Sequence, residues 1–522
     1  MGNIRKCGIL LHPTSLPSSY GIGDLGKSAL DFIDFLHSAN QKLWQLLPLG
    51  PTSFGDSPYQ SFSAIAGNFY LLSPDILVSD GLLSQEEVSN IPHFSTTKVE
   101  YGKVINYKTK LYKQAFANFK PNKNFKNFCS ENSFWLEDYS LFCAIKDDYI
   151  EKRRLEYESE EFNAFCNETK DILPQNVQKD YYYGGVWSTW DKNLVLRIPQ
   201  TIKTMHTKLS KSIEYYKFLQ FKFFQQWTAV KSYANKNQIE IIGDIPIFVA
   251  YDSSDVWSNQ ELFNLDENGF PTEVAGVPPD YFSQTGQLWG NPLYNWDEHE
   301  NNGYSWWIRR IKSLLSTADI IRIDHFRGFE SYYAIPFGSK DATVGTWIKG
   351  PGKKLFDAIK KEIGTLPIIA EDLGIITPKV TKLRESVNLP GMKILQFAFD
   401  NSENNAYLPH NFEKNCVVYT GTHDNDTTIG WYKSAAEESR DYFRRYMNTD
   451  GTSPEWDLIR LAQASCANTA IYPLQDVLSL DETARMNTPG IEEDNWQWRY
   501  TPFMLKDEYA QRLCYLSKLF RR

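Results

Sequence analysis

Three observations predict that this chain folds as an α/β protein of the (β/α)8 barrel type. Eight apolar, β-branched runs suited to strands buried on both faces lie at 8–12, 43–50, 239–248, 318–326, 366–374, 392–399, 416–424 and 469–478. Helix-period segments separate several of them, so strands and helices alternate. Three of the runs end in carboxylates: Ile321-Arg-Ile-Asp-His-Phe-Arg327, Ile368-Ile-Ala-Glu-Asp-Leu-Gly374 and Val417-Val-Tyr-Thr-Gly-Thr-His-Asp424. Barrel strands look like this where their C-terminal tips reach the open face, and acids at three such tips should converge on one pocket.

In chain order, the first run is followed by Ala29, Phe32, Ile33 and Leu36 at i, i+3, i+4 and i+7, one apolar face of a helix. Tyr509, Leu513, Leu516 and Phe520 repeat that pattern near the other end. Gly50 and Ile239 are separated by far more chain than one helix needs, so 56–236 is expected to hold an inserted, mainly helical subdomain. Helix-like stretches at 134–147 and 211–227 and a polar, Asn- and Lys-rich loop around 121–126 fall within it. A second insertion, 250–302, is rich in Gly, Pro and Asn and has little periodicity. Its length, its aromatic residues and Pro278-Pro279 point to an ordered, lid-like loop at the active-site face. The whole chain, 1–522, reads as one catalytic domain carrying these two insertions.

A net charge of −9 argues against a nucleic-acid partner, which demands a basic surface, and suits a neutral substrate. Aromatic content is high, with 15 Trp, 30 Tyr and 32 Phe. Most of these rings are expected in the core, with a minority left as flat platforms for sugar rings. The seven cysteines are scattered, odd in number and free of CxxC spacing, which reads as free thiols in a reducing cytoplasm. The N-terminus reaches strand-like sequence within a few residues, so no signal or transit peptide is expected. No run of uncharged apolar residues is long enough to span a membrane.

Asp324 follows Arg322 by two positions, so both side chains project to one side of a strand. The arginine is expected to hold the aspartate ionised by lowering its pKa, as a nucleophile requires; the plainer alternative is a structural pair at a barrel rim. Glu371 ends an apolar run beside Asp372, where an apolar wall and neighbouring carboxylates raise an acid's pKa. The alternative there is a Glu–Asp pair that binds backbone amides. Asp424 lies in Thr422-His-Asp-Asn-Asp426, whose spacing does not match a Ca²⁺ loop, and no zinc pattern is present. Neither a dinucleotide fingerprint, a GxxxxGK[ST] loop nor a GxSxG elbow occurs. Paired carboxylates in one pocket remain, which is the equipment of glycoside chemistry.

With these residues in hand, the sequence resembles the 4-α-glucanotransferases (amylomaltases, disproportionating enzymes) of glycoside hydrolase family 77, in the α-amylase clan, over essentially its whole length. The stretches that carry the resemblance include Gly8-Ile-Leu-Leu-His-Pro-Thr-Ser-Leu-Pro17, Gly55-Asp-Ser-Pro-Tyr-Gln-Ser-Phe-Ser63, Gly243-Asp-Ile-Pro-Ile247 and Gly276-Val-Pro-Pro-Asp-Tyr-Phe282. Gly286-Gln-Leu-Trp-Gly-Asn-Pro-Leu-Tyr294, Arg322-Ile-Asp-His-Phe-Arg-Gly328, Ala370-Glu-Asp-Leu-Gly374, Gly421-Thr-His-Asp-Asn-Asp426 and Arg485-Met-Asn-Thr-Pro-Gly490 extend it.

The resemblance implies Asp324 as nucleophile, Glu371 as general acid/base and Asp424 as transition-state stabiliser. It places Tyr59, Asp280, Gln287, Trp289, Arg322, His325, Asp400, His423 and Asn487 around the glucan. It further implies transfer of an α-1,4-glucan segment to the 4-hydroxyl of another glucan or of glucose, through a covalent intermediate. No cofactor, no metal and no separate C-terminal β-domain are expected. The rival readings are a hydrolase of the same clan, with identical acids and water as acceptor, and a catalytically silent glycan-binding protein.

Overall fold

The computed structural model describes residues 5–170, 172–279, 283–491 and 493–522. Its eight barrel strands are β1 (Lys6–Leu10), β2 (Leu43–Gln45), β3 (Glu240–Ile245), β4 (Ile320–Ile323), β5 (Ile368–Ala370), β6 (Gly391–Ile394), β7 (Cys416–Tyr419) and β8 (Thr469–Pro473). All neighbours pair in parallel, in the order β6-β7-β8-β1-β2-β3-β4-β5. The remaining seam, β5 to β6, is bridged by Ala370 N–H donating to the Pro390 carbonyl at 2.9 Å. Met392 N–H donates to Asp372 Oδ1 at 2.7 Å across the same seam. Six strands lie inside their apolar runs; β1 begins two residues before the run at 8–12 and β6 one residue before the run at 392–399. Several runs are longer than their strands because their last residues leave the ladder to form the loops of the open face.

Alternation along the strands sorts side chains into lumen and wall. Leu10, Leu43, Ile242, Ile320, Ile369, Met392, Val417 and Ile471, one from each strand, pack together in the lumen. Their neighbours Ile9, Trp44, Ile241, Ile321 and Ile368 pack outward against the surrounding helices. Continuing the lumen register by two-residue steps reaches Asp244 on β3, Arg322 and then Asp324 on β4, and Glu371 after β5. The polar groups therefore sit directly above an apolar plug, and the same period that fills the barrel aims them upward.

Helix α1 (Lys27–Ser38) buries Ala29, Phe32, Ile33 and Leu36, the face read from the sequence. The 56–236 segment is mainly helical and includes α2 (Ser133–Leu155) and α3 (Ser210–Lys236). Helix α3 lies against the barrel wall: Phe218, Phe223, Trp227 and Val230 share one buried cluster with Phe32, Trp44 and Ile241. Trp227 also donates its indole N–H to the Thr317 carbonyl at 2.9 Å. Near the C-terminus, α4 (Asp507–Leu519) buries Leu513 and Leu516.

Two features differ from expectation. The polar stretch around 121–126 begins a helix, Lys123–Glu131, because Asn122 caps it through its side-chain oxygen to Phe125 N–H at 3.0 Å. Phe125 is buried against Phe119 and Phe221. The 250–302 segment also contains strands, Glu273–Val277 and Gln287–Pro292. They join Ser331–Pro336 and Thr346–Lys349, from the loop after β4, in a second, antiparallel sheet. Its pairing partners come from different loops, so no local period announces it. Among the described residues, no helix is long and apolar enough to cross a membrane.

Trp227 ties α3 to the barrel by both packing and a hydrogen bond. Trp227→Ala should cost about 3–5 kcal/mol of stability. A thermal melt should show a clearly lowered Tm; an unchanged Tm would mean that α3 does not brace the wall.

Candidate active site

The β3–β4–β5 ladder continues past the regular strands and sets the acids in place. Asp324 N–H donates to the Ile245 carbonyl at 2.9 Å, and Glu371 N–H to the Ile323 carbonyl at 3.0 Å. The two residues thus stand at one level on adjacent strands, whose spacing is about 4.8 Å. Both acids line a cleft of about 590 Å³ that also takes in Asp424 from the loop after β7.

Arg322 organises the floor. It is buried, and its guanidinium donates to both oxygens of the fully buried Asp244 carboxylate at 2.9 and 2.7 Å and to Asp324 Oδ1 at 2.9 Å. Asp244 in turn accepts from the Tyr59 hydroxyl at 2.7 Å. Asp324 keeps 29% of its side chain exposed to the cleft.

The expected lowering of the Asp324 pKa is corrected here. Burial pushes this carboxyl up to about 8; Arg322 opposes the shift, and Glu371, Asp244 and Asp424 reinforce it. Arg322 does not overcome the burial of the group, and its charge is also shared with Asp244.

Glu371 is buried and also raised, first by desolvation; Arg322 and backbone donors pull the other way, and Asp372 adds to the rise. Its oxygens accept from His325 N–H at 2.6 Å and Leu373 N–H at 2.7 Å. The His325 donor is available because that residue adopts a left-handed backbone, φ 52°, a costly conformation of the kind that clusters at functional sites. Asp372 faces away, held by Met392 N–H and by Arg384 Nε at 3.1 Å. The amide-binding alternative is therefore partly realised, in both acids. Two raised carboxyls in one pocket titrate as a coupled pair and share their protons.

Asp424 is 45% exposed, and Asn487 Nδ2 donates to its Oδ1 at 2.6 Å. Arg485 grips the Asp424 carbonyl at 2.7 Å. His423 stacks on Tyr59 with ring centroids 5.2 Å apart, and Trp496 packs on both rings. Trp289 donates its indole N–H to Gln287 Oε1 at 3.1 Å and sits edge-on to His325 at 4.8 Å. Burial holds the His423 imidazole below its ordinary range and pushes His325 down to about 3, so both rings are neutral. Neutral rings suit neutral hydroxyl groups. No group of three or more His, Cys, Asp and Glu side chains among the described residues is arranged to hold a metal ion.

Tyr59, Gln287, Trp289, Arg322, His325, His423 and Asn487 all line this cleft beside the three acids. Asp400 is not among the described residues that line it. Exposed in the loop after β6, its Oδ1 accepts from Ser402 N–H, Ser402 Oγ and Asn405 Nδ2 at 2.7–3.0 Å, which fixes its own turn. Asp280 lies outside the described residues. Sequence reasoning assigned no role to Asp244, although it quoted the Gly243-Asp-Ile-Pro motif. The available signal was a carboxylate two residues beyond Ile242 inside an apolar strand. Asn291, Phe248, Trp347 and Trp496 also line the cleft and were not singled out.

Fold and site together define an enzyme class, the barrel enzymes that break and remake glycosidic bonds with a carboxylate pair. Comparison with known proteins narrows it. The profile of glycoside hydrolase family 77, described as 4-alpha-glucanotransferase, matches residues 11–505, and the chain belongs to that family. It is 47% identical to a 4-alpha-glucanotransferase of Synechocystis sp. over 99% of this chain and 98% of that protein. It is 44% identical to one of Thermus thermophilus over 99% of each. An amylomaltase from Streptococcus agalactiae, solved in complex with acarbose, superposes with a TM-score of 0.90 at 37% identity over 99% of both chains.

The shared proton generates a pH prediction. The alkaline limb of kcat/KM should fall above neutrality, as the raised Glu371 carboxyl loses the proton it donates. A rate flat to pH 10 would show that no carboxyl of this pair carries a catalytic proton.

Proposed function

We propose that this enzyme, a glycosyl-transferring member of the 4-α-glucanotransferase family, disproportionates maltooligosaccharides and α-1,4-glucans, with glucose among its acceptors. The observation that carries the reading is the placement of Asp324 and Glu371 at one level on adjacent strands, with Asp424 facing them in one cleft.

In this mechanism Asp324 attacks the anomeric carbon while Glu371 gives its proton to the glycosidic oxygen. The C–O bond breaks, the reducing-end fragment leaves, and the non-reducing segment stays esterified to Asp324. The 4-hydroxyl of an acceptor then loses its proton to Glu371 and attacks the same carbon, which frees Asp324. Arg322 orients Asp324 and favours its ionised form, leaving the shared proton to Glu371. Asp424, oriented by Asn487, holds sugar hydroxyls and complements the positive charge that develops on the ring. Tyr59, Gln287, Trp289, His325 and His423 shape the wall, and Asp280 belongs with them by the family resemblance.

Transfer must outrun hydrolysis. A filled acceptor site favours a sugar hydroxyl by position, and the 250–302 segment over the cleft limits the entry of water. No metal or other cofactor enters any of these steps. A cytoplasmic setting is supported by seven unpaired cysteines.

Incubation with maltotriose should yield glucose together with maltooligosaccharides longer than the substrate, resolved by chromatography. Glucose and maltose alone would make the enzyme a hydrolase. Asp324→Asn should lower turnover by at least roughly a thousandfold with the fold intact by circular dichroism. Glu371→Gln should be crippled on maltotriose but partly rescued with α-glucosyl fluoride, whose leaving group needs little protonation. Equal losses on both donors would move the acid role to another residue.

A further inference from the structure

Beyond the ring that surrounds the acids, the cleft has an apolar stretch of wall that the mechanism does not use. Trp347, on the outermost strand of the antiparallel sheet, is 42% exposed and lines the cleft. Leu288 on the same sheet and Ile375 in the loop after β5 are also exposed and line it too. Large apolar side chains left open to solvent along a binding cleft mark a surface for a ligand with apolar area of its own.

The Trp347 ring is held rather than loose. Arg327, three residues after Asp324, lies over one face of it with the guanidinium carbon 3.8 Å from the ring centroid. Tyr333 braces it from the paired strand at 5.3 Å. Arg327 itself is buried and donates through Nη1 to the Ile375 carbonyl. One guanidinium therefore fixes both the indole from the β4 loop and the backbone that carries Ile375 from the β5 loop. A pre-positioned ring, packed by Arg327 and Tyr333 and still 42% exposed, loses little freedom when a flat apolar partner settles on it.

We propose that Trp347, positioned by Arg327 and flanked by Ile375 and Leu288, is a remote glucan-stacking platform that selects for longer α-1,4-glucan chains. This rests on the glucanotransferase reading of the same cleft and deepens it. The occupant is a glucose unit of the bound chain, because the platform is continuous with the cleft that holds the acids and offers ring faces without demanding charge. On this reading short oligosaccharides occupy the sites beside Asp324 and Glu371 and leave the platform unfilled. Longer ones gain one additional stacked residue, worth about tenfold in affinity.

The test compares wild type, Trp347→Ala and Trp347→Phe on maltotriose and maltoheptaose. In Trp347→Ala the ratio of kcat/KM for maltoheptaose to that for maltotriose should fall about tenfold. Trp347→Phe, which keeps a flat ring, should retain most of the wild-type ratio. As a second readout, isothermal titration of the Asp324→Asn background with maltoheptaose should weaken by a similar factor when Trp347→Ala is added. An unchanged ratio, or an equal loss on both substrates, overturns the platform. If wild type fails to make longer products from maltotriose, the transferase reading fails instead, and the two failures are separate.

Discussion

A single buried guanidinium holds the active site together. Arg322 sits in the barrel lumen just above the apolar layer, where an unpaired charge would be prohibitively costly. Its partners Asp244 and Asp324 come from β3 and β4, so the charge is neutralised only when those strands pair in the observed register. A slip of one residue would turn these side chains into the helix-packed wall. The ion pair and the barrel ladder therefore require one another, and the position of Asp324 follows from both.

The same arrangement sets the electrostatics of the pocket. Four carboxylates, Asp244, Asp324, Glu371 and Asp424, cluster around one arginine. Burial raises Asp324 and Glu371, and the deficit of positive charge adds to the rise. That is the state a retaining enzyme needs before its first step, with one group able to give a proton and one able to attack. Asp244 takes two of the arginine's hydrogen bonds and so tunes the pair without facing the substrate.

Around this centre the long insertions act as walls. The antiparallel sheet built from the loops after β3 and β4 brings Gln287, Leu288, Trp289 and Trp347 to the cleft. Helices of the 56–236 segment pack behind Phe62 and Trp257, where Phe142 lies within 6.3 Å of both rings. The barrel alone would leave the acids open to water; these additions wall the cleft around them.

The eight strands and the three acids at their tips were legible in the amino-acid sequence because both are local patterns. Strands buried on two faces must be continuously apolar, and a carboxylate at the end of such a run has nowhere to go but the open face. The pairing of Arg322 with Asp324 was legible in the same way, from a spacing of two. What only the tertiary structure decided is everything that depends on contacts between distant segments. Asp244 became the arginine's principal partner through strand pairing across 78 positions, and burial of Asp324, reinforced by the neighbouring carboxylates, reversed its expected shift. The second sheet joined 273–277 with 331–336, which no local period connects. Asp400 bonds its own turn through Ser402 and Asn405, a contact that its own short loop decides. Local periodicity records which face a residue presents, whereas the charge it meets there is set by residues that the fold brings from elsewhere.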